Sequence, residues 1–215
     1  MRPLYTAIVT PALERNLVSL DDLREQLRVR PGDVANDAWL TKVIARSSLA
    51  AERYCNRIFA EQTYLDTFLS DVTGMTGEPL MLSQAPVEPE SLEVTLDGAG
   101  LAQGDYALEP LAGHLWRVSD PRAWVVGAGG LSVLYDAGFA EIPADVQQAV
   151  LDLCTMESSA RGRDPMLRAT ESPGLGRQEF WVGGVPGGSL IPQDIASLLN
   201  PYRRGMVGLY RRATR

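Results

Sequence analysis

The sequence has few of the groups that most enzymes use. It carries one histidine, His114, and two cysteines, Cys55 and Cys154, among 215 residues. A single histidine with no second one to work with removes most histidine-based triads and metal sites. His114 stands between Gly113 and Leu115 in a strand-like stretch and reads as a surface or turn residue. The cysteines are far apart, each inside a helical pattern, and read as small buried hydrophobes. A reducing cytosol disfavours a disulfide between them. Lysine occurs once, at Lys42, so the other nineteen of the 20 basic residues are arginine. That bias fits a GC-rich genome and carries no function. No stretch approaches the roughly 18 consecutive apolar residues of a membrane span, so no membrane partner is expected. Pro11, Glu14, Arg15 and Asn16 interrupt the N-terminal stretch where a secretory signal would need a continuous apolar run. Residence in a cytosol is therefore expected.

Acid is missing from one region. None occurs after Asp194, where Arg203, Arg204, Arg211, Arg212 and Arg215 fall. With a formal net charge of −7, that segment carries +5 and the rest −12. An acidic body argues against sequence-independent gripping of DNA, which depends on basic side chains neutralising phosphates. The basic segment suits an acidic protein surface at least as well as nucleic acid.

A hydrophobic content of 45% is enough to build a core. Residues 1–18, with Pro3 and Pro11, read as an N-terminal arm. Ser19 is a helix N-cap with Asp21 and Asp22 in the first turn, and Leu20, Leu23 and Leu27 share a face. This predicts a short helix over 19–29. Leu40, Val43, Ile44, Ser47, Ala51, Tyr54, Cys55 and Ile58 recur at helical spacing and predict a long helix over 36–58. Its small residues, including Ala45 and Ser48, allow another helix to approach closely. Arg46, Arg53 and Arg57 lie on the other face and are candidate subunit contacts, or simply a solvated face. Short strand patterns separated by turn signals such as Asp97-Gly98 and Gly129-Gly130 predict an antiparallel β insert over 62–136. Ile142-Pro143-Ala144-Asp145 starts a third helix over 143–160, with Val146, Ala149, Val150, Leu153 and Cys154 on its apolar face. Residues 162–215 read as an extended C-terminal interaction segment with a short helix at 192–199. Within it, Phe180, Trp181, Val182 and Leu190 sit among prolines and glycines, where a partner would cover them. The fold class expected is α+β: a mainly helical core of two long packed helices and a short one, with a small β insert and an extended tail. Residues 19–161 would form the main domain.

No motif carries chemistry. Gly183, Gly184, Gly187 and Gly188 lack the lysine and the following helix N-terminus of a phosphate loop. Gly127, Gly129 and Gly130 lead into a strand instead of a helix, so they make no dinucleotide fingerprint. No serine is placed for activation, no carboxylate pair has a context that separates its pKa values, and no metal-ligand cluster stands out. The expectation is no enzyme activity, no catalytic residues, no cofactor and no metal.

In order the chain carries SLDDLREQLRV, a helix ending in YCNRIFAEQTY, and LSVLYDAGFAEIPADVQQAVLDL. These pieces, the last above all, resemble a known family, the head–tail connector adaptors of long-tailed bacteriophages and gene transfer agents. Family members commonly show V-x-Y-x-A-G followed by an aromatic, a short loop, then x-P-x-D-[IV]-x-Q-A. Val133, Tyr135, Ala137, Gly138 and Phe139, then Pro143, Asp145, Val146, Gln148 and Ala149, match that pattern. Asp152, Thr155, Glu157 and Ser158 depart from the aromatic-rich continuation frequent in the family, and the match loosens after residue 161.

The resemblance implies a structural virion protein in the head–tail neck, present in the host cytoplasm before assembly. Its subunits would form a ring, a dodecamer, between the portal and the tail-side stopper or tail proteins, with genomic DNA passing through the centre. On that reading Phe180, Trp181, Val182 and Leu190 join Arg46, Arg53 and Arg57 at subunit interfaces. Leu198, Tyr202, Arg203, Arg204 and Tyr210 face the portal. Two other readings stand beside it. A tail-completion or stopper protein would be dominated by β structure, and a DNA-binding packaging protein would need a recognition helix with several polar residues on one face.

Overall fold

The computed structural model describes residues 1–70, 72–73, 77–119, 123–161, 169–172, 176–179 and 191–204. In chain order the elements are β1 (Tyr5–Thr10), α1 (Leu20–Gln26), α2 (Asp37–Cys55), β2 (Gln62–Phe68), β3 (Val72–Thr73), β4 (Leu80–Met81), β5 (Glu93–Leu96), β6 (Ala99–Gly100), β7 (Tyr106–Glu109), β8 (His114–Arg117), β9 (Val125–Val126), β10 (Leu131–Ala137), α3 (Ala144–Ala160), β11 (Ala169–Ser172), β12 (Gly176–Glu179) and α4 (Gln193–Leu199). They divide into two compact units, residues 1–15 with 58–141, and residues 16–57 with 142–215.

The first unit is built on strands. Its main sheet has the order β1-β2-β10-β5-β6, with a three-stranded sheet β4-β8-β7 and a β3-β9 pair beside it. β2 and β10 pair antiparallel along all seven residues, Phe68 opposite Leu131 and Gln62 opposite Ala137. Both alternate buried and half-buried residues, the period-2 pattern of a strand with one face on a core. The inward face carries Tyr64, Phe68, Leu131, Val133 and Tyr135, which join Leu80, Leu115 and Trp124 in one buried cluster. The Tyr64 and Tyr135 rings stack as a cross-strand pair with centroids 5.9 Å apart.

The second unit holds the four helices and the antiparallel β11-β12 pair. α1 opens on a capping box, in which the Asp22 amide donates to Ser19 Oγ at 3.1 Å and the Ser19 amide donates to Asp22 Oδ2 at 3.1 Å. α2 buries Leu40, Val43, Ile44, Ser47, Ala51 and Cys55, and packs on α3. α3 contributes Val146, Ala149, Val150 and Cys154 to that core. α4 packs on α3 and α2 through Ile195, Ala196 and Leu199. Of the small residues in the middle of α2, Ser47, Ser48 and Ala51 are buried, while Ala45 is exposed.

The expected mainly helical core is overturned. Helices α1 to α4 occupy one unit only, and a second core lies between antiparallel sheets. The strand region is no small insert, because residues 5–10 pair with β2 at a separation of about sixty residues, Tyr5 opposite Thr67. Nothing local signals that pairing. β1 is exposed at nearly every position and shows no alternation. Nor does the chain trail away as an extended tail over the described residues 191–204, since α4 is docked by its apolar face.

Candidate interaction surface

α2 ends where its sequence provides a left-handed cap. Asn56 takes φ 48°, and Arg57 N donates to Glu52 O at 3.1 Å, which satisfies a last-turn carbonyl. Asparagine tolerates that conformation better than other side chains, so the helix stops at Cys55 and not at Ile58. After α4 and the short 3-10 turn Asn200–Tyr202, the chain returns to the same place. Arg204 N donates to Cys55 O at 2.8 Å, and Tyr54 Oη donates to Asn200 Oδ1 at 2.8 Å. The Arg203 guanidinium lies over the Tyr54 ring, 5.2 Å from its centroid.

Arg57 and the adjacent pair Arg203 and Arg204, far from it in sequence, thus gather at one helix end. Arg57 is half-buried. Burial pulls its pKa down, and the neighbouring Arg204 charge pulls it further. The Cys55 thiol senses the same cluster. Burial pushes it up to about 11, against the opposing pull of Arg57 and Arg203. Cations here complement the helix C-terminus, yet they also repel one another.

The other expected contact residues are spread more widely. Arg46 pairs with Glu157 of α3 while staying largely exposed. Arg53 is exposed on the last turn of α2. Leu198 is half-buried on α4. Tyr202 has its phenol pKa raised by burial, then by the charge of Asp145 and a hydrogen bond to it. Phe180, Trp181, Val182, Leu190 and Tyr210 lie outside the described residues. The fold therefore joins Arg57 to Arg203 and Arg204 and leaves Arg46 on another pair of helices.

The sequence reading missed a buried polar cluster in the strand unit. Asp66, fully buried on β2, accepts from Ser83 N at 2.7 Å, Ser83 Oγ at 2.7 Å, Tyr135 Oη at 2.8 Å and Thr6 Oγ1 at 2.5 Å. Tyr135 Oη in turn accepts from Gln84 N at 3.1 Å. Burial raises the Tyr135 phenol pKa strongly, and the Asp66 charge adds to it. The cluster ties β1, β2, β10 and the 83–84 loop together. One signal was available, a carboxylate on the inward register of an alternating strand.

The Tyr135-Asp-Ala-Gly-Phe stretch has a geometric reason. Gly138 adopts φ 133°, and a Cβ there would meet Ala60 O and Glu61 Cα, both at 2.6 Å. Phe139 N donates to Phe59 O at 2.8 Å, and the two rings stack at 5.9 Å. The motif closes the strand unit on itself and offers no reacting group. Among the described residues no three or more His, Cys, Asp or Glu cluster to hold a metal ion. Burial raises the Cys154 thiol pKa as it does that of Cys55, which keeps both in the less reactive thiol form. His114 Nδ1 lies 3.6 Å from Glu109 Oε2, with its ring edge-on to Trp116.

The sequence matches no family model, and no curated protein matches it. Solved structures do share the fold. A chain from the neck of an empty gene transfer agent particle, computed with C6 symmetry, superposes with a TM-score of 0.57 at 18% identity, covering 95% of this chain and 99% of that one. A chain from the virion of a native gene transfer agent particle gives 0.55 at 19% identity with the same coverage. A chain from the neck of the native particle, computed with C12 symmetry, gives 0.53 at 18% identity, again over 95% and 99%. The likeness spans both units of this chain, strand and helical alike.

Proposed function

We propose that this chain is a structural protein of a phage-like neck, and more specifically an adaptor subunit of a ring between the portal and the tail-side neck proteins. The observation that carries this is the sharing of one fold, over nearly the whole of both chains, with proteins of gene transfer agent necks and virions. The C6 and C12 symmetries of those neck structures support a ring, and a twelvefold one fits both. The sequence motif from Val133 to Ala149 supports the adaptor role over other neck roles. Two long helices, α2 and α3, distinguish the chain from a stopper dominated by strands. Genomic DNA passes through the ring's centre on this reading, and a net charge of −7 suits a wall along which DNA must slide. Phe180, Trp181, Val182 and Leu190 lie against a neighbouring subunit, and Leu198, Tyr202 and Tyr210 face the portal.

Light scattering on the purified chain, alone and mixed with the portal of the same particle, tests the reading. Saturable recruitment to portal rings in near-equal subunit count is the expected result. Binding to tail-side proteins or duplex DNA, with no binding to the portal, would overturn it.

A further inference from the structure

Charge is divided between the two units in a way that the whole-chain value conceals. The strand unit, residues 1–15 and 58–141, holds 14 Asp and Glu against 4 Arg, a net −10. The helical unit holds 13 acids against 16 bases, a net +3. Such a subunit repels a copy presented like-to-like. It attracts one presented helical unit to strand unit, the head-to-tail contact that closes rings.

The arginine cluster at the end of α2 is the positive element with a defined place. Arg57 falls among the expected neighbour contacts and Arg203 and Arg204 among the expected portal contacts, yet the fold sets the three around Cys55. Arginine loses less than lysine on leaving water and binds carboxylates with a planar fork, so a partly desolvated arginine cluster suits a protein carboxylate surface. The strand unit carries such carboxylates in its densest form at Glu88, Glu90 and Glu93, all exposed around the turn that leads into β5.

We infer that Arg57, Arg203 and Arg204 form a docking surface for the acidic strand unit of a second copy of this chain, meeting it at Glu88, Glu90 and Glu93. The inference rests on the ring reading and specifies its subunit contact. Duplex DNA is the competing partner for an arginine cluster, and charge reversal separates it from a second copy.

Charge reversal on each side tests it, with self-association followed by sedimentation velocity at low ionic strength. The wild-type chain associates, and raising the salt weakens it. Arg203→Glu with Arg204→Glu weakens association about a hundredfold or more, as does the triple variant Glu88→Arg, Glu90→Arg, Glu93→Arg. An equimolar mixture of the two variants restores it, since copies can alternate with every contact paired. Unchanged circular dichroism shows that the variants fold. Either variant by itself associating like wild type, a mixture that stays dissociated, or a wild-type chain that is monomeric at low salt would each overturn the inference. So would loss of portal or duplex-DNA binding on Arg203→Glu with Arg204→Glu while self-association is kept. The neck reading is judged separately, by wild-type recruitment to the portal, and stands or falls on that alone.

Discussion

At the scale of single residues, Gly138 and Asp66 hold the strand unit. A methyl group at Gly138 meets two backbone atoms at 2.6 Å, and neither can yield without moving the Ala60–Glu61 peptide. Gly138→Ala is expected to destabilise by about 3 kcal/mol, from contact and positive φ together, read as an earlier urea midpoint. Asp66 presents only acceptors to four donors. Asp66→Asn turns part of that oxygen surface into a donor facing donors, a loss of about 2 kcal/mol, whereas Tyr135→Phe removes one bond and costs about 1 kcal/mol. Equal losses for the two would show that Asp66 is not the hub.

At the scale of elements, α1 is seven residues long and buries Leu23 alone. A helix so short depends on its end, and the Ser19–Asp22 capping box closes it. Ser19→Ala is expected to cost about 1 kcal/mol, with faster hydrogen exchange confined to residues 20–27. Uniform exchange changes would place the loss elsewhere. Helices were the legible part of this chain. α2, at Asp37–Cys55, and α3, at Ala144–Ala160, lie within the spans their apolar spacing predicts, because a helix writes its buried face into local sequence. β2 and β10 were legible as strands but not as the centre of a sheet. Each alternates, and only their full seven-residue register shows that they enclose a core. β1 was not legible at all, since its pairing with β2 and the Thr6 bond to Asp66 are made across about sixty residues.

At the scale of the molecule, alkaline pH sets a limit on stability. A thiol near 9.0 in the unfolded chain and about 11 in the folded one keeps its proton longer when Cys55 is buried. The folded state then binds more protons, so stability present below pH 9 is lost as pH rises towards 11. The raised Cys154 and Tyr135 act with the same sign. Urea unfolding at pH 8 and pH 10.5 is expected to show a clear fall, made shallower by Cys55→Ala. A flat profile for the wild type would mean that these groups are not desolvated.

By itself the sequence determined the helical faces, the Ser19 cap of α1 and the strand-to-helix stretch running from Val133 to Ala149. These depend on residues within one or two turns of each other. Only the tertiary structure decided that strands form a core of their own, that Asp66 is held by four donors from three segments, and that Arg57 stands with Arg203 and Arg204. Strand pairing and charge clustering between distant segments leave no period in the chain, because neither partner's local sequence depends on where the other lies.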